Sequence, residues 1–313
     1  MSIIRDAYPS RQGTTAETLP RQDAIAYAPW HAHAPLTREQ HAAFERDGFL
    51  VLRNLFDAEE VAGLKTEMAS LLNDPSGLED ETVVREPKQD LVRSIFRIHA
   101  QNTLFHRLAA DGRISRIIRH LLDDDVYVYQ SRLNYKPGFG GQEFYWHSDF
   151  ETWHTEDGLP RMRTISASIL LTDNTPLNGP LMLIPGSHRN FIQCRGETPE
   201  NNYRTSLRKQ EIGVPDQHTL TRLADEAGIV PATGKAGTVV LFDCNTLHGS
   251  NGNITPDPRS NAFFVYNAMS NQVTEPFAAA SPRPHFLAER GDVTAVTPVE
   301  GRIARHRAMP KAA

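Results

Sequence analysis

Cysteine is nearly missing from this chain: Cys194 and Cys244 are the two among 313 residues. Two thiols are too few for a disulfide framework, and such scarcity fits a reducing compartment. Cys244 reads as a small buried apolar side chain. A basic excess is lacking as well. Lysine and arginine number 33 against 38 aspartates and glutamates, a formal net charge of −5, which excludes the strongly cationic class of nucleic-acid binders. No apolar run is long enough to cross a bilayer, and residues 1–21 lack the hydrophobic segment of a signal peptide, so a cytoplasmic protein without membrane contact is expected. There is no internal repeat and no low-complexity tract.

The length suits one large domain. Residues 1–35 are polar and without periodicity, which predicts an extended N-terminal arm; 36–297 form the single domain, and 298–313 a tail. The basic run Arg302, Arg305, His306, Arg307 and Lys311 reads as solvated. Thr37-Arg38-Glu39-Gln40 is a capping-box pattern opening a helix that leads into a strand at 48–52. Asp57 caps a second helix, because Val61, Leu64, Met68, Leu71 and Leu72 recur at helical spacing. Residues 74–95 are charged and irregular, which predicts a lid or a mobile segment. Short helices are expected at 102–110 and 112–122. Strands then follow at 126–136, 143–149, 164–171, 180–184, 238–243 and 260–268, separated by Gly, Pro, Asn and Asp. Short strands at such spacing point to an antiparallel sandwich or barrel, jelly roll included, with the helices packed outside.

Chemistry enters with His147-Ser148-Asp149. In a strand, residues two apart share a face, so one imidazole and one carboxylate can meet at a point. His248 stands just past the apolar run 237–242, where a strand end would deliver a third ligand. Two histidines and one carboxylate leave open positions on a metal, which suits non-haem Fe(II) and oxygen, although Zn(II) accepts the same donors. Beyond His248, Arg259 opens the next strand with a guanidinium able to grip a carboxylate bidentately. In strand 126–136, alternation puts Val126, Val128, Gln130, Arg132, Asn134 and Lys136 on one face and Tyr127, Tyr129, Ser131, Leu133 and Tyr135 on the other. The polar face either meets water or lines a ligand cavity. The Gly-rich turn 137–141 favours the cavity, because a hairpin there would set this face beside the metal.

These features resemble the Fe(II)- and 2-oxoglutarate-dependent dioxygenases of the phytanoyl-CoA hydroxylase superfamily across about residues 40–270. The triad, Arg259 and the segment Ile184-Pro185-Gly186-Ser187-His188 carry the likeness. Within it, the run from Phe144 through Trp146-His147-Ser148-Asp149-Phe150-Glu151-Thr152-Trp153-His154 to Pro160 looks like the signature of the ectoine hydroxylase family. Leu159 stands where that family usually has methionine, a volume-conserving exchange. The resemblance implies a mainly β fold with flanking helices around a double-stranded β-helix, a cupin-like jelly roll. It implies Fe(II) on His147, Asp149 and His248, with 2-oxoglutarate and O2 as cosubstrates. Lys136 and Arg259 would hold 2-oxoglutarate, helped by Arg132, Asn134 and Ser250, while Gln130 and Trp153 would hold ectoine. Asn261 and Phe263 share a strand face and would complete that pocket; His188 and Trp146 would be structural. The implied reaction converts ectoine to 5-hydroxyectoine with release of succinate and CO2, in a homodimer. The Asp149 carboxylate favours hydroxylation, since related halogenases lack it. Two other readings stand beside this: a hydroxylase of the same superfamily with another small-molecule or amino-acid substrate, and a non-catalytic cupin-like metal or solute binder.

Overall fold

The computed structural model describes residues 6–13, 16–86, 91–207 and 209–303. The N-terminal third runs β1 (Thr18–Pro20), α1 (Arg38–Asp47), β2 (Phe49–Leu52), α2 (Ala58–Asn73), β3 (Val83–Arg85) and β4 (Val92–Phe96), then α3 (Ile98–Gln101), α4 (Thr103–Ala109) and α5 (Gly112–Leu122). The middle holds β5 (Val126–Lys136), β6 (Phe144–His147), α6 (Asp149–Asp157), β7 (Thr164–Leu170), β8 (Leu181–Leu183), β9 (Asn190–Ile192) and α7 (Tyr203–Ser206). α8 (Gln217–Ala227), β10 (Val230–Pro231), β11 (Val239–Asp243), β12 (His248–Ser250) and β13 (Arg259–Ala268) complete it. A seven-stranded sheet has the order β2-β11-β7-β13-β5-β4-β3, and a four-stranded sheet the order β10-β8-β12-β6. All pairings are antiparallel. One cavity is lined from both sheets, the arrangement of a double-stranded β-helix.

Local sequence explains the elements that flank it. Thr37 caps α1 and Gln40 returns the bond, the reciprocal pair expected from the sequence; Asp57 and Glu60 do the same for α2. In α5, Ile114, Ile117, Ile118, Leu121 and Leu122 form one buried stripe. With Phe44 and Leu64 they cover the outer face of the large sheet, against Val239, Leu241, Ala262, Phe264 and Tyr266. The inner face carries Val240, Phe242, Phe263 and Val265, packed on Phe150, Trp153 and Phe191. Period-two alternation in β11 and β13 thus divides helix-facing from cavity-facing residues.

In β5 the alternation breaks. Gln130 pairs Val265 and Val128 pairs Tyr266, so Tyr129 is one residue too many for its partner strand. This bulge shifts the phase. Tyr127 and Tyr129 point inward with Gln130 and Arg132 beyond them, while Val126, Val128 and Leu133 pack outward under the helices. The uninterrupted polar and aromatic faces expected for this strand are therefore corrected: each face changes character at Tyr129.

The segment 74–95 is also more regular than its composition predicts. β3 pairs β4, and β4 pairs β5 through Ser94–Asn134, Ile95–Leu133 and Phe96–Arg132, so the hairpin extends the large sheet. Two short strands with interspersed arginines gave no detectable period. α8 was missed for a related reason, with Leu220 and Leu223 as its buried residues. The N-terminal segment is pinned, with Tyr8 fully buried and β1 paired to β9. No helix among the described residues is long and apolar enough to cross a membrane. Arg302 reaches Asp57, whereas Arg305, His306, Arg307 and Lys311 lie outside the described residues.

Gly48 ends α1 at φ 81°, and a Cβ there would lie 2.4 Å from Nδ1 of the buried His188. Gly48→Ala should lower stability by about 2 kcal/mol, combining left-handed strain with the clash. A melting temperature unchanged in thermal denaturation would contradict it.

Candidate functional site

Strand β6 stops at His147. Ser148 takes the N-cap position and Asp149 is the first residue of α6, so the two ligands do not share a strand face as the spacing suggested. Every residue of α6 is buried, which removes the polar stripe that would have announced a helix, and the aromatic run before it reads as strand. The convergence survives by another route. His248 opens β12 and pairs directly with His147 across the antiparallel ladder, placing the two rings 4.2 Å apart by centroid. Asp149 turns back from the helix start, with Oδ1 3.6 Å from His147 Nε2 and Oδ2 3.8 Å from His248 Nε2.

Hydrogen bonds orient both rings. His147 Nδ1 lies 2.8 Å from the Tyr145 carbonyl and His248 Nδ1 3.0 Å from that of Thr246. A carbonyl can only accept, so each Nδ1 donates its proton there and each Nε2 is turned toward the Asp149 carboxylate. Burial and the adjacent His147 push His248 down to about 4, keeping it neutral at pH 7. Burial acts to raise Asp149, but His248, His147 and Arg132 outweigh it and bring the carboxyl to about 2. Its position at the helix start adds to the preference for negative charge. Asp149 Oδ2 is nonetheless buried without a hydrogen-bond partner. A deprotonated carboxylate oxygen with no donor, facing two imidazole Nε2 atoms, fits a divalent cation. One further group, Glu79, Glu81 and His285, has its donor atoms as close, but it is exposed.

Cations gather on the opposite wall. Lys136 and Arg259 are register partners on β5 and β13. Lys136 Nζ donates to Ser250 Oγ at 3.0 Å and to the Asn251 carbonyl at 2.6 Å. Burial and the nearby Arg259 push Lys136 down to about 7. Arg259 Nη1 donates to the Gly179 carbonyl at 3.1 Å, yet its Nε is buried with no acceptor; burial and Arg132 bring the guanidinium down to about 10. Arg132 lies 4.3 Å over the Phe263 ring and donates to Gln130 Oε1 at 2.9 Å. None of these three cations makes an ion pair of 4 Å or less among the described residues. Half-buried cations without a counter-charge beside open space favour an anion.

All of the expected ligand residues line this one cleft: Gln130, Arg132, Asn134, Lys136, Trp153, Ser250, Arg259, Asn261 and Phe263, with the triad. Asn261 donates to Ser168 Oγ at 2.7 Å, and Asn134 accepts from Ser94 Oγ at 3.0 Å. The expected β5–β6 hairpin does not form, because the two strands belong to different sheets. Gln130, Arg132, Asn134 and Lys136 of β5 line the same cavity as His147, Asp149 and His248 instead. His188 lies elsewhere, with Nε2 3.2 Å from the Glu45 carbonyl, as a structural histidine. Sequence reasoning missed Thr152, Ser168, Gln210, Phe242, Arg283 and Leu287 as lining residues. Thr152 sat within the quoted run. Arg283 and Leu287 come from a proline-rich stretch without periodicity, which offered no signal.

A family model described as phytanoyl-CoA dioxygenase (PhyH) matches residues 44–261. The chain is 57% identical over 300 residues to ectoine dioxygenase of Sphingopyxis alaskensis, covering 96% of this chain and 98% of that protein. It is similar to the crystal structure of EctD from S. alaskensis with 2-oxoglutarate and 5-hydroxyectoine, with TM-score 0.88, 53% identity and coverage of 96% of this chain and 100% of that one. A structure of the same protein with bound Fe matches with the same TM-score, identity and coverage.

His147→Ala, Asp149→Ala and His248→Ala should each reduce bound iron to background after anaerobic loading, measured by metal analysis of the desalted protein. Wild-type stoichiometry in all three variants would refute the site.

Proposed function

Because this chain belongs to the phytanoyl-CoA dioxygenase family, we propose that His147, Asp149 and His248 hold Fe(II) and that the cationic wall beside them receives 2-oxoglutarate. The protein is an Fe(II)- and 2-oxoglutarate-dependent dioxygenase that converts ectoine to 5-hydroxyectoine with release of succinate and CO2. One observation carries the site reading: Lys136 and Arg259, half-buried and without carboxylate partners among the described residues, line the same cleft as the triad. A structural metal site has no use for two cations arranged to receive a dicarboxylate.

Fe(II), when bound, supplies the activation of dioxygen and the attachment of the keto acid. The chain's own residues do the rest. Arg259 and Lys136 neutralise the distal carboxylate, and Ser250, already bonded to Lys136, fixes the ammonium's direction. Trp153 and Phe263 offer buried aromatic surface for the delocalised amidinium of ectoine. Gln130 donates to the Leu287 carbonyl at 2.6 Å and accepts from Arg132, which leaves one N–H and one oxygen lone pair for a polar substrate. Asn134 and Asn261, each held by a serine, supply further fixed dipoles. The same reading takes the chain as a cytoplasmic homodimer, and its two buried free cysteines suit a reducing compartment.

Aerobic incubation with Fe(II), 2-oxoglutarate and ectoine should yield succinate and a hydroxylated ectoine in equal amounts by mass spectrometry. Succinate without an ectoine-derived product would overturn the substrate. The Lys136 ammonium must keep its proton to hold an anion, and its charged fraction falls as pH rises past about 7. The KM for 2-oxoglutarate should therefore climb above pH 7, by up to about tenfold per unit. In Lys136→Met it should be high and flat; an equal slope in both proteins would remove Lys136 from that role.

A further inference from the structure

The N-terminal segment sends one side chain under the wall of the cleft. Arg11 is fully buried and grips Glu151 of α6 with two bonds, Nε to Oε1 at 2.9 Å and Nη2 to Oε2 at 2.6 Å. Its Nη1 reaches Glu156 at 2.5 Å and Thr198 Oγ1 at 3.3 Å. Ser10 Oγ adds a bond to Glu151 at 2.7 Å. The remaining contact of Arg11 is the informative one. Nη2 also donates to Thr152 Oγ1 at 3.2 Å, and Gln210 Nε2 donates to the same oxygen at 3.2 Å. Gln210 Nε2 faces the Ile212 carbonyl as well, which only an amide nitrogen can do, so its assignment as donor is firm.

A hydroxyl has two lone pairs and one proton. Both lone pairs of Thr152 are engaged by obligatory donors, and its proton bonds to no acceptor among the described residues. Thr152 is buried yet lines the cleft, three residues after Asp149 in the first turn of α6. We infer that Arg11 is a positioning residue: together with Gln210 it fixes the Thr152 hydroxyl as a hydrogen-bond donor aimed into the cleft, toward an acceptor oxygen of the bound substrate. A free hydroxyl rotor would accept or donate indifferently. Held this way, it selects an acceptor such as a carboxylate and disfavours a donor. The N-terminal segment thereby shapes substrate recognition from 140 or so residues away in the chain.

The test reads steady-state kinetics with ectoine, the substrate proposed above. Arg11→Lys keeps a cation between Glu151 and Glu156 but loses the planar fork that also reaches Thr152. Gln210→Met removes the second donor without unpairing a charge, and so keeps the question open to measurement if the arginine variant folds poorly. Each should raise the KM for ectoine about fivefold, the usual effect of one lost hydrogen bond, while Arg11→Lys leaves kcat and the KM for 2-oxoglutarate within about twofold. In a Thr152→Val background neither change should raise the ectoine KM further. An unchanged ectoine KM in both folded variants, or effects that add in full to Thr152→Val, would overturn the inference while leaving ectoine as substrate. Wild-type protein that consumes 2-oxoglutarate without hydroxylating ectoine overturns both.

Discussion

The direct pairing of His248 with His147 across β12 and β6 is the constraint on which the site depends. Ladder spacing brings two imidazoles together, and carbonyls two residues upstream of each turn both Nε2 atoms the same way. Asp149 then has to enter from a helix start, and that helix is buried along its whole length. Its Glu151, Glu156, His154 and Asp157 would be ruinous there without partners, since an unpaired buried charge costs several kcal/mol. Segments distant in the chain supply them. Arg11 pairs Glu151 and Glu156, Asp6 meets His154 at 2.9 Å, and Arg283 with Tyr129 holds Asp157. The geometry of the triad and the packing of these distant segments are thus one problem with one solution.

The opposite wall follows a different logic. Arg132, Lys136 and Arg259 are half-buried, with hydrogen bonds to neutral groups and no anionic partner among the described residues, so the protein forgoes stability there. A bound dicarboxylate would supply the missing counter-charge. A site so arranged binds its anion in competition with its own desolvation already spent, which is what preorganisation means in electrostatic terms.

The convergence of His147, Asp149 and His248 was legible because a candidate metal site uses unusual residue types in a short space, with His248 after an apolar strand. Caps at Thr37 and Asp57 and the apolar stripe of α5 were legible because each is a local pattern. What failed was what depends on partners distant in the chain. The bulge at Tyr129 exists only relative to β13, and full burial of α6 erased its period. The β3–β4 hairpin is held by β5, and Arg11 and Arg283 gain meaning only from carboxylates more than 100 residues away.

The central claim is that one metal and one 2-oxoglutarate share this cleft, with the keto acid attached to the iron. Anaerobic titration of the protein with Fe(II) and then 2-oxoglutarate, followed by visible absorption, tests it most directly. A charge-transfer band that requires both components, and that disappears in Asp149→Ala, is the expected result. Tight binding of both without any such band would mean that the metal and the dicarboxylate occupy separate sites, and would contradict the account.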